Sequence, residues 1–380
     1  MKEFDVTIVG LGPAGGTLAN LLAMHDFSIL ILDREKSFYP LPRAVHFDDE
    51  IMRVFQTIGI TKEFLKHTII NKGTKFVNSK DKVILDWPRP KKITDNGWYP
   101  SYRFHQPDLE KKLRKKLKNY KKVLIEQNSE VIKIKNSKNH VDITYLNINN
   151  HKEHLVRSKY LIGCDGAHSW TRRHFKMGKP KELMIGFQAE VVGYEGRDRW
   201  LEMFSGSEIA PGFFAWVIPS GNGSHRIGLW STAKRLEGRS IEQCYDNLLK
   251  HPLWKDRFSN VSETARYCGP VPSGMVKNTF KDRVILIGDS AGMAKPTTGG
   301  GIGPAFEQIS GIIDNLSAAL TKNKLDKKTL HGICSKHFSK MHKDQNRARA
   351  LRNLLVSDCS DEVLDKHFNS FAKPEVIQLI

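Results

Sequence analysis

The stretch Asp5-Val6-Thr7-Ile8-Val9-Gly10-Leu11-Gly12-Pro13-Ala14-Gly15 decides how the chain begins to fold. Asp5–Val9 is an apolar run of strand type, and the apolar residues of Ala14–Met24 recur with helical spacing. Between them Gly10, Gly12 and Gly15 fit the pattern Gly-x-Gly-x-x-Gly. The first glycine permits a tight turn, the second lets backbone approach a pyrophosphate, and the third lets the helix pack closely on the strand. A second strand, Ser28–Leu32, ends at Asp33, roughly 20 residues on, where an acid can hydrogen-bond a ribose hydroxyl. Arg34 follows as a further candidate contact. A glycine pattern alone is weak; strand, helix and terminal acid together point to a bound dinucleotide.

Two later motifs extend this reading. Cys164-Asp165-Gly166-Ala167-His168-Ser169-Trp170-Thr171-Arg172 follows the apolar strand Tyr160–Gly163 and contains Asp-Gly-x-x-Ser-x-x-Arg. Taken alone, Asp-Gly after a strand is an ordinary turn, so a cofactor role for Asp165 and Gly166 rests on the company they keep. Gly288-Asp289 follows the buried strand Arg283–Ile287, and Pro296-Thr297-Thr298-Gly299-Gly300-Gly301-Ile302 comes next, before a helix expected from about Gly303. Asp289 can bind the sugar-like ribityl chain of a flavin. The backbone N–H groups of Gly299, Gly300, Gly301 and Ile302 can hold the flavin's pyrimidine oxygen at the helix N-terminus. Four glycines among the ten residues Gly292–Gly301, between a strand and a helix, argue against an idle loop.

Size and composition agree with a soluble, two-lobed protein. The chain has 380 residues, 39% of them apolar and 27% charged. No apolar run approaches the roughly 18–20 residues of a membrane-spanning helix. The N-terminus enters its first strand at once, leaving no room for a signal peptide, so a cytoplasmic protein is expected. Five scattered cysteines without a Cys-x-x-Cys pair argue against a disulfide framework and against a metal site. The net charge of +19 gathers in Lys111–Lys122 and around Lys336–Arg352. It reads first as solvated helix surface, and second as attraction to anionic lipid headgroups or to an acidic cofactor and substrate. No nucleic-acid motif accompanies it, so nucleic acid is not expected as a partner.

The expected fold class is α/β with an α+β substrate lobe. A Rossmann-type FAD-binding domain (1–72, 106–180 and 276–325) interleaves with a β-rich substrate domain (73–105 and 181–275). A helical segment (326–380) closes the chain. Within the substrate domain, strands are expected between about Gly186 and Val271, broken by an amphipathic helix near Ile241–Leu249.

In this order the three motifs resemble the p-hydroxybenzoate-hydroxylase-like flavoprotein superfamily, over nearly the whole chain. Residues 1 to about 170 resemble 3-(3-hydroxyphenyl)propionate hydroxylases through Tyr39-Pro40-Leu41-Pro42-Arg43-Ala44-Val45-His46-Phe47-Asp48-Asp49-Glu50 and Gly97-Trp98-Tyr99-Pro100-Ser101-Tyr102-Arg103-Phe104-His105-Gln106-Pro107-Asp108-Leu109-Glu110. That resemblance implies that Arg43 contacts the FAD phosphates or ribityl chain and that Gln106 lies against the cofactor. From about Gly186 onward the chain resembles archaeal-type geranylgeranyl reductases. The carriers are Pro211-Gly212-Phe213-Phe214-Ala215-Trp216-Val217-Ile218-Pro219, Gly269-Pro270-Val271-Pro272-Ser273-Gly274 and Lys295–Ile302. Each half also departs from its pattern. Gly292 and Lys295 stand where hydroxylases usually carry a histidine and a second proline, and Pro42-Arg43-Ala44 stands where reductases usually carry Cys-Gly-Gly.

The hydroxylase resemblance implies FAD reduced by transient NADH or NADPH, O2, and oxygen transfer to a phenolic acid through a C4a-hydroperoxyflavin. His46 and Arg43 are then candidates for the substrate side, with Pro296 at the head of the glycine loop. The reductase resemblance implies hydride transfer to an isolated prenyl double bond. Phe204, Phe213, Phe214 and Trp216 would line its cavity, and the basic surface would make peripheral contact with anionic membrane. Phe214-x-Trp216-x-Ile218-Pro219 also approximates the Trp-x-Trp-x-Ile-Pro signature of flavin-dependent halogenases, a more distant likeness.

Overall fold

The computed structural model describes residues 1–38, 46–221, 223–324, 326–356, 360–371 and 373. Its first layer is an eight-stranded sheet in which Val284–Leu286, Lys152–Gly163, Lys2–Val9, Ile29–Leu32 and Val123–Glu126 run parallel side by side. The four residues Ile29–Leu32 are all buried, as befits a parallel strand covered on both faces. Helix Pro13–Ala23 is buried from Gly15 to Ala23 and crosses the helix Gln106–Leu117, where Asn20 Nδ2 donates to the Gly16 and Leu113 carbonyls at 2.8 and 3.2 Å. Lys152–Gly163 is longer than the expected Tyr160–Gly163. Its first half forms an antiparallel ribbon with Val141–Asn147, which pairs in turn with Ser129–Asn136.

A second sheet of seven strands runs in the order Ser262–Ser273, Glu182–Val192, Ser224–Ser231, Ala215–Gly221, Trp200–Phe204, Gly73–Val77 and Val83–Pro88. Its pairings are antiparallel except that of Trp200–Phe204 with Gly73–Val77. One face carries a core of its own, in which Phe187, Phe204, Leu229, Tyr245, Leu248 and Trp254 pack under the helices Ile241–Leu249 and Lys255–Phe258. Ser240 and Gln243 close a reciprocal cap at the start of the first of these helices. The other face looks toward the parallel sheet.

Between the two sheets lies a small antiparallel one, His46–Asp48, Ser101–Phe104 and Thr68–Ile70. Phe47 and Tyr102 stack on its inner side at 5.3 Å, within a cluster that includes Phe55, Phe64 and Phe104. His46 and Arg103 are direct cross-strand partners and share the opposite side.

The helix expected from Gly303 is two helices, Ile302–Ser310 and Ile313–Thr321. The break at Gly311–Ile312 has a packing cause. The His337 ring lies where a Gly311 side chain would stand, and Ile312 turns fully inward. His337 belongs to the 30-residue helix Lys327–Val356, which docks through Leu330, Cys334, Phe338 and Met341. No helix among the described residues is long and apolar enough to cross a membrane.

Candidate functional site

The first glycine turn is fixed by backbone. Gly10 has φ +98° and donates its N–H to the Leu32 carbonyl at 2.8 Å; a side chain there would strike the Cys164 carbonyl. A side chain on Gly15 would land on the Gly10 carbonyl. Gly12, by contrast, faces open space at the N-terminus of helix Pro13–Ala23, and no side chain caps that helix. Its first-turn N–H groups are left for an anion.

Asp33 sits beside this turn, 8% exposed, and accepts the Leu11 N–H at 3.1 Å and the Glu35 N–H at 3.0 Å. Arg114 reaches it at 3.1 Å. Gln106 donates to Glu110 at 2.8 Å, and Glu110 lies 3.8 Å from Arg114, so Gln106, Glu110 and Arg114 form one line down a helix face to Asp33. The i, i+4, i+8 spacing of this line is visible in the sequence, but Arg114 falls within Lys111–Lys122, which reads as solvated surface, and Glu110 ends the hydroxylase-like motif without a role of its own. Arg114 Nε and Nη1 are buried without a partner beside the turn. Arg34 points to solvent and pairs with Glu35.

The middle motif welds two loops together. Asp165 accepts from Ser169 Oγ at 2.6 Å and from the Thr171 N–H at 2.8 Å, and Ser169 Oγ accepts the Arg172 N–H at 2.9 Å. Arg172 then donates to the Ser290 and Ala167 carbonyls at 2.9 and 2.8 Å. Ser290 Oγ donates to the Gly163 carbonyl at 2.6 Å, and Gln308 accepts the Gly288 N–H at 2.9 Å. Asp165 thus works as a helix cap, while Gly166, at φ +74°, has open space around it. Arg172 carries that order into the Asp289 turn.

The second glycine loop closes on itself through Lys295 N–H to the Gly300 carbonyl (3.0 Å) and Gly299 N–H to the Lys295 carbonyl (2.8 Å). Asp289 Oδ1 lies 3.0 Å from where a Gly301 Cβ would stand, at the uncapped N-terminus of Ile302–Ser310. Pro296 is buried, and its carbonyl accepts from Arg352 of the long C-terminal helix at 3.1 Å. Arg352 also grips Glu182 with both terminal nitrogens, at 2.8 and 2.9 Å. Trp230 covers Gly299, whose φ of +67° and contact with the indole ring both exclude a side chain.

Trp230 belongs to an aromatic platform on the inward face of the large sheet. It lies 4.7 Å from Trp216, Phe214 lies 6.3 Å from Trp230, and Phe76 lies 5.9 Å from Phe214. The indole N–H groups of Trp216 and Trp230 are buried without partners. The four aromatics expected to line one cavity are therefore separated. Phe214 and Trp216 are on the platform, while Phe204, the cross-strand partner of Ala215, points the other way against Trp254 at 4.8 Å. Strand alternation forces this, because Met203 and not Phe204 opposes Trp216. Phe213 is 2% exposed and packs under the Arg352 guanidinium at 4.9 Å. Trp230 and Phe76 were missed; finding them requires the strand register.

Facing the same interior is a polar cluster on the small sheet. His46 Nε2 lies 2.8 Å from Ser101 Oγ and 3.1 Å from Asp48 Oδ1. The carboxylate can only accept, so Nε2 carries the hydrogen and Nδ1 is the basic nitrogen. Burial and the Arg103 charge hold the His46 pKa below the usual histidine value against the opposing pull of Asp48. Asp48 in turn feels Lys295, at the head of the glycine loop. Arg43, the companion candidate, lies outside the described residues.

These features fit FAD. Two uncapped helix N-termini, an open Gly12, the unpartnered Arg114 nitrogens and the carboxylates of Asp33 and Asp289 suit a pyrophosphate, a ribose and a ribityl chain. A family model described as FAD binding domain matches residues 3–328. The chain belongs to this family. It is a p-hydroxybenzoate-hydroxylase-like flavoprotein, in a family of FAD-dependent oxidoreductases.

Within the family the chain is 34% identical over 174 residues to a probable NADH-specific resorcinol 4-hydroxylase of Rhodococcus jostii, a match covering 45% of this chain and 32% of that protein. The chain thus matches about a third of that hydroxylase's length. It is 25% identical over 400 residues to digeranylgeranylglycerophospholipid reductase 2 of Methanosphaera stadtmanae, covering 99% of this chain and 93% of that one. Among solved structures, a geranylgeranyl bacteriochlorophyll reductase-like protein of Thermoplasma acidophilum superimposes with a TM-score of 0.82 at 19% identity, covering 100% of this chain and 96% of that one. The p-nitrophenol 4-monooxygenase of Pseudomonas putida superimposes with a TM-score of 0.81 at 16% identity, covering 100% and 97%. Both structural likenesses are likenesses of fold.

Proposed function

We propose that the protein is an NAD(P)H-dependent aromatic-ring hydroxylase acting on a phenolic acid. Its FAD site would be built from the segments 1–72, 106–180 and 276–325, and its substrate site from 73–105 and 181–275. The observation that carries this reading is His46, a neutral imidazole oriented by Asp48 and Ser101 and paired across the small sheet with the buried Arg103. A phenol must lose its proton for its ring to become electron-rich, and His46 Nδ1 is placed to take it. Bound FAD would supply the redox chemistry, held by Gly12, Asp33, Arg114, Asp289 and the Gly299–Ile302 backbone. The platform would exclude water from the ring it covers.

Phenol-stimulated NADH or NADPH oxidation tests this reading. Replacing His46 by Gln should lower kcat/KM for the phenol by about 100-fold. In the native protein kcat/KM should fall on the acid side with a midpoint below 6.5, because His46 must be neutral to accept a proton and its pKa is lowered. An unchanged pH profile in H46Q would contradict the assignment.

A second reading has its own support: the match to the archaeal reductase runs through nearly the whole chain. A reductase would saturate a prenyl double bond on the same platform. The Lys111–Lys122 run would then touch an anionic membrane, in a salt-sensitive manner.

A further inference from the structure

Arg103 has no ion-pair partner among the described residues, and the nearest carboxylate to act on it, Asp48, is shared. Its guanidinium is 4% exposed, its Nε is buried without a hydrogen-bond partner, and among the described residues no carboxylate comes within ion-pair reach of it. Arg89 lies close enough to repel it, with its own Nε unpartnered and its guanidinium stacked on Trp87 at 4.0 Å. Asp48 acts on both arginines, but its Oδ1 is engaged by His46. Burial and Arg89 bring the Arg103 pKa down to about 9, so it is still a cation at neutral pH. Two buried or half-buried guanidiniums sharing one carboxylate leave an excess positive charge inside the protein. Such a charge is costly unless something else pairs with it.

Its placement says what that partner is. His46 and Arg103 are direct partners across the small sheet, so both side chains leave on the same side of it, where Arg89, stacked on Trp87 of the large sheet, adds its charge. Lys295 adds its charge from the glycine loop. A planar fork of donors beside a proton-accepting imidazole, with the Trp87 ring under its companion guanidinium, suits a flat acid with a phenol at its other end. We propose that Arg103, assisted by Arg89, is the seat for the carboxylate of the substrate, orienting the ring so that its hydroxyl meets His46. This rests on the hydroxylase reading for the identity of the ring, and on the unpaired guanidiniums alone for the charge. Arg103 is thereby a specificity-determining residue that no glycine motif marks.

Binding, rather than turnover, tests the seat. FAD-loaded protein is titrated with 3-(3-hydroxyphenyl)propionate and with its primary amide, following the flavin absorbance. The native protein should bind the acid at least about tenfold more tightly than the amide. Arg103→Gln should shrink that gap to about twofold at unchanged FAD content, and Arg103→Lys should restore part of it. If R103Q folds poorly, Arg89→Gln, at a half-buried position, should still narrow the gap. Equal binding of acid and amide by the native protein would overturn the proposal, as would a full acid preference in both variants. Inorganic phosphate displacing the acid at lower concentration than the acid's own amide would also overturn it, in favour of a phosphate-bearing lipid. Should Arg103-dependent acid binding be found with no oxygenated product, the hydroxylase reading fails and the carboxylate seat stands.

Discussion

The turn Gly10–Gly15 is held by its own neighbourhood: the Leu32 carbonyl, the Cys164 backbone and the contact of Gly15 with Gly10 all belong to adjacent parallel strands or to the turn itself. The loop Lys295–Gly301 is held from a distance. Trp230 of the large sheet covers Gly299, and Arg352 reaches Pro296 from the far end of the chain while gripping Glu182. The first turn is thus a finished binding element once its strands pair. The second is complete only when the substrate lobe and the long C-terminal helix have docked. The loop proposed for the flavin's reacting end is therefore held by the substrate side, and the turn proposed for its nucleotide end is not.

Three sets of variants break or sharpen that difference. The largest effect belongs to the self-held turn. Gly15→Val places a side chain on backbone that cannot move aside, and should yield insoluble or flavin-free protein. Gly12→Val, whose side chain enters open space, should purify colourless yet keep the thermal midpoint of the FAD-stripped native protein. A fully yellow G12V would remove the pyrophosphate from that turn. Next comes Arg352→Ala, which leaves Glu182 partly buried without its bidentate partner. It should cost about 3 kcal/mol of stability and weaken FAD binding, measured by thermal unfolding and flavin titration. If FAD affinity is untouched, the loop does not depend on the distant helix. The smallest effect is Gly299→Ala, roughly 1–2 kcal/mol from its left-handed backbone with the displacement of Trp230 added to it. In the Trp230→Ala background the same change should cost less, because only the backbone part remains.

The same division governs what could be read from the sequence. The first turn, the Asp33 strand end, the Asp289 turn and the helix Ile241–Leu249 were legible, because each is specified by contiguous residues with a local period. The aromatic platform was not. Phe204 and Trp216 are equally apolar, and only the pairing of Trp216 with Met203 separates the platform from the second core. Arg114 hid in the lysine-rich run Lys111–Lys122, whose charge reads as solvated. Arg103 stands in the hydroxylase-like motif with no role of its own, because only the register sets it opposite His46. The break at Gly311 depended on His337, far along the chain.

Oxygen transfer to a phenolic acid is tested most directly by giving the purified protein NADH or NADPH, isotopically labelled O2 and a pool of phenolic acids and prenyl lipids, then weighing the products. A phenolic product carrying one labelled oxygen is the predicted result. A prenyl product heavier by two hydrogens, formed equally well without O2, would contradict it.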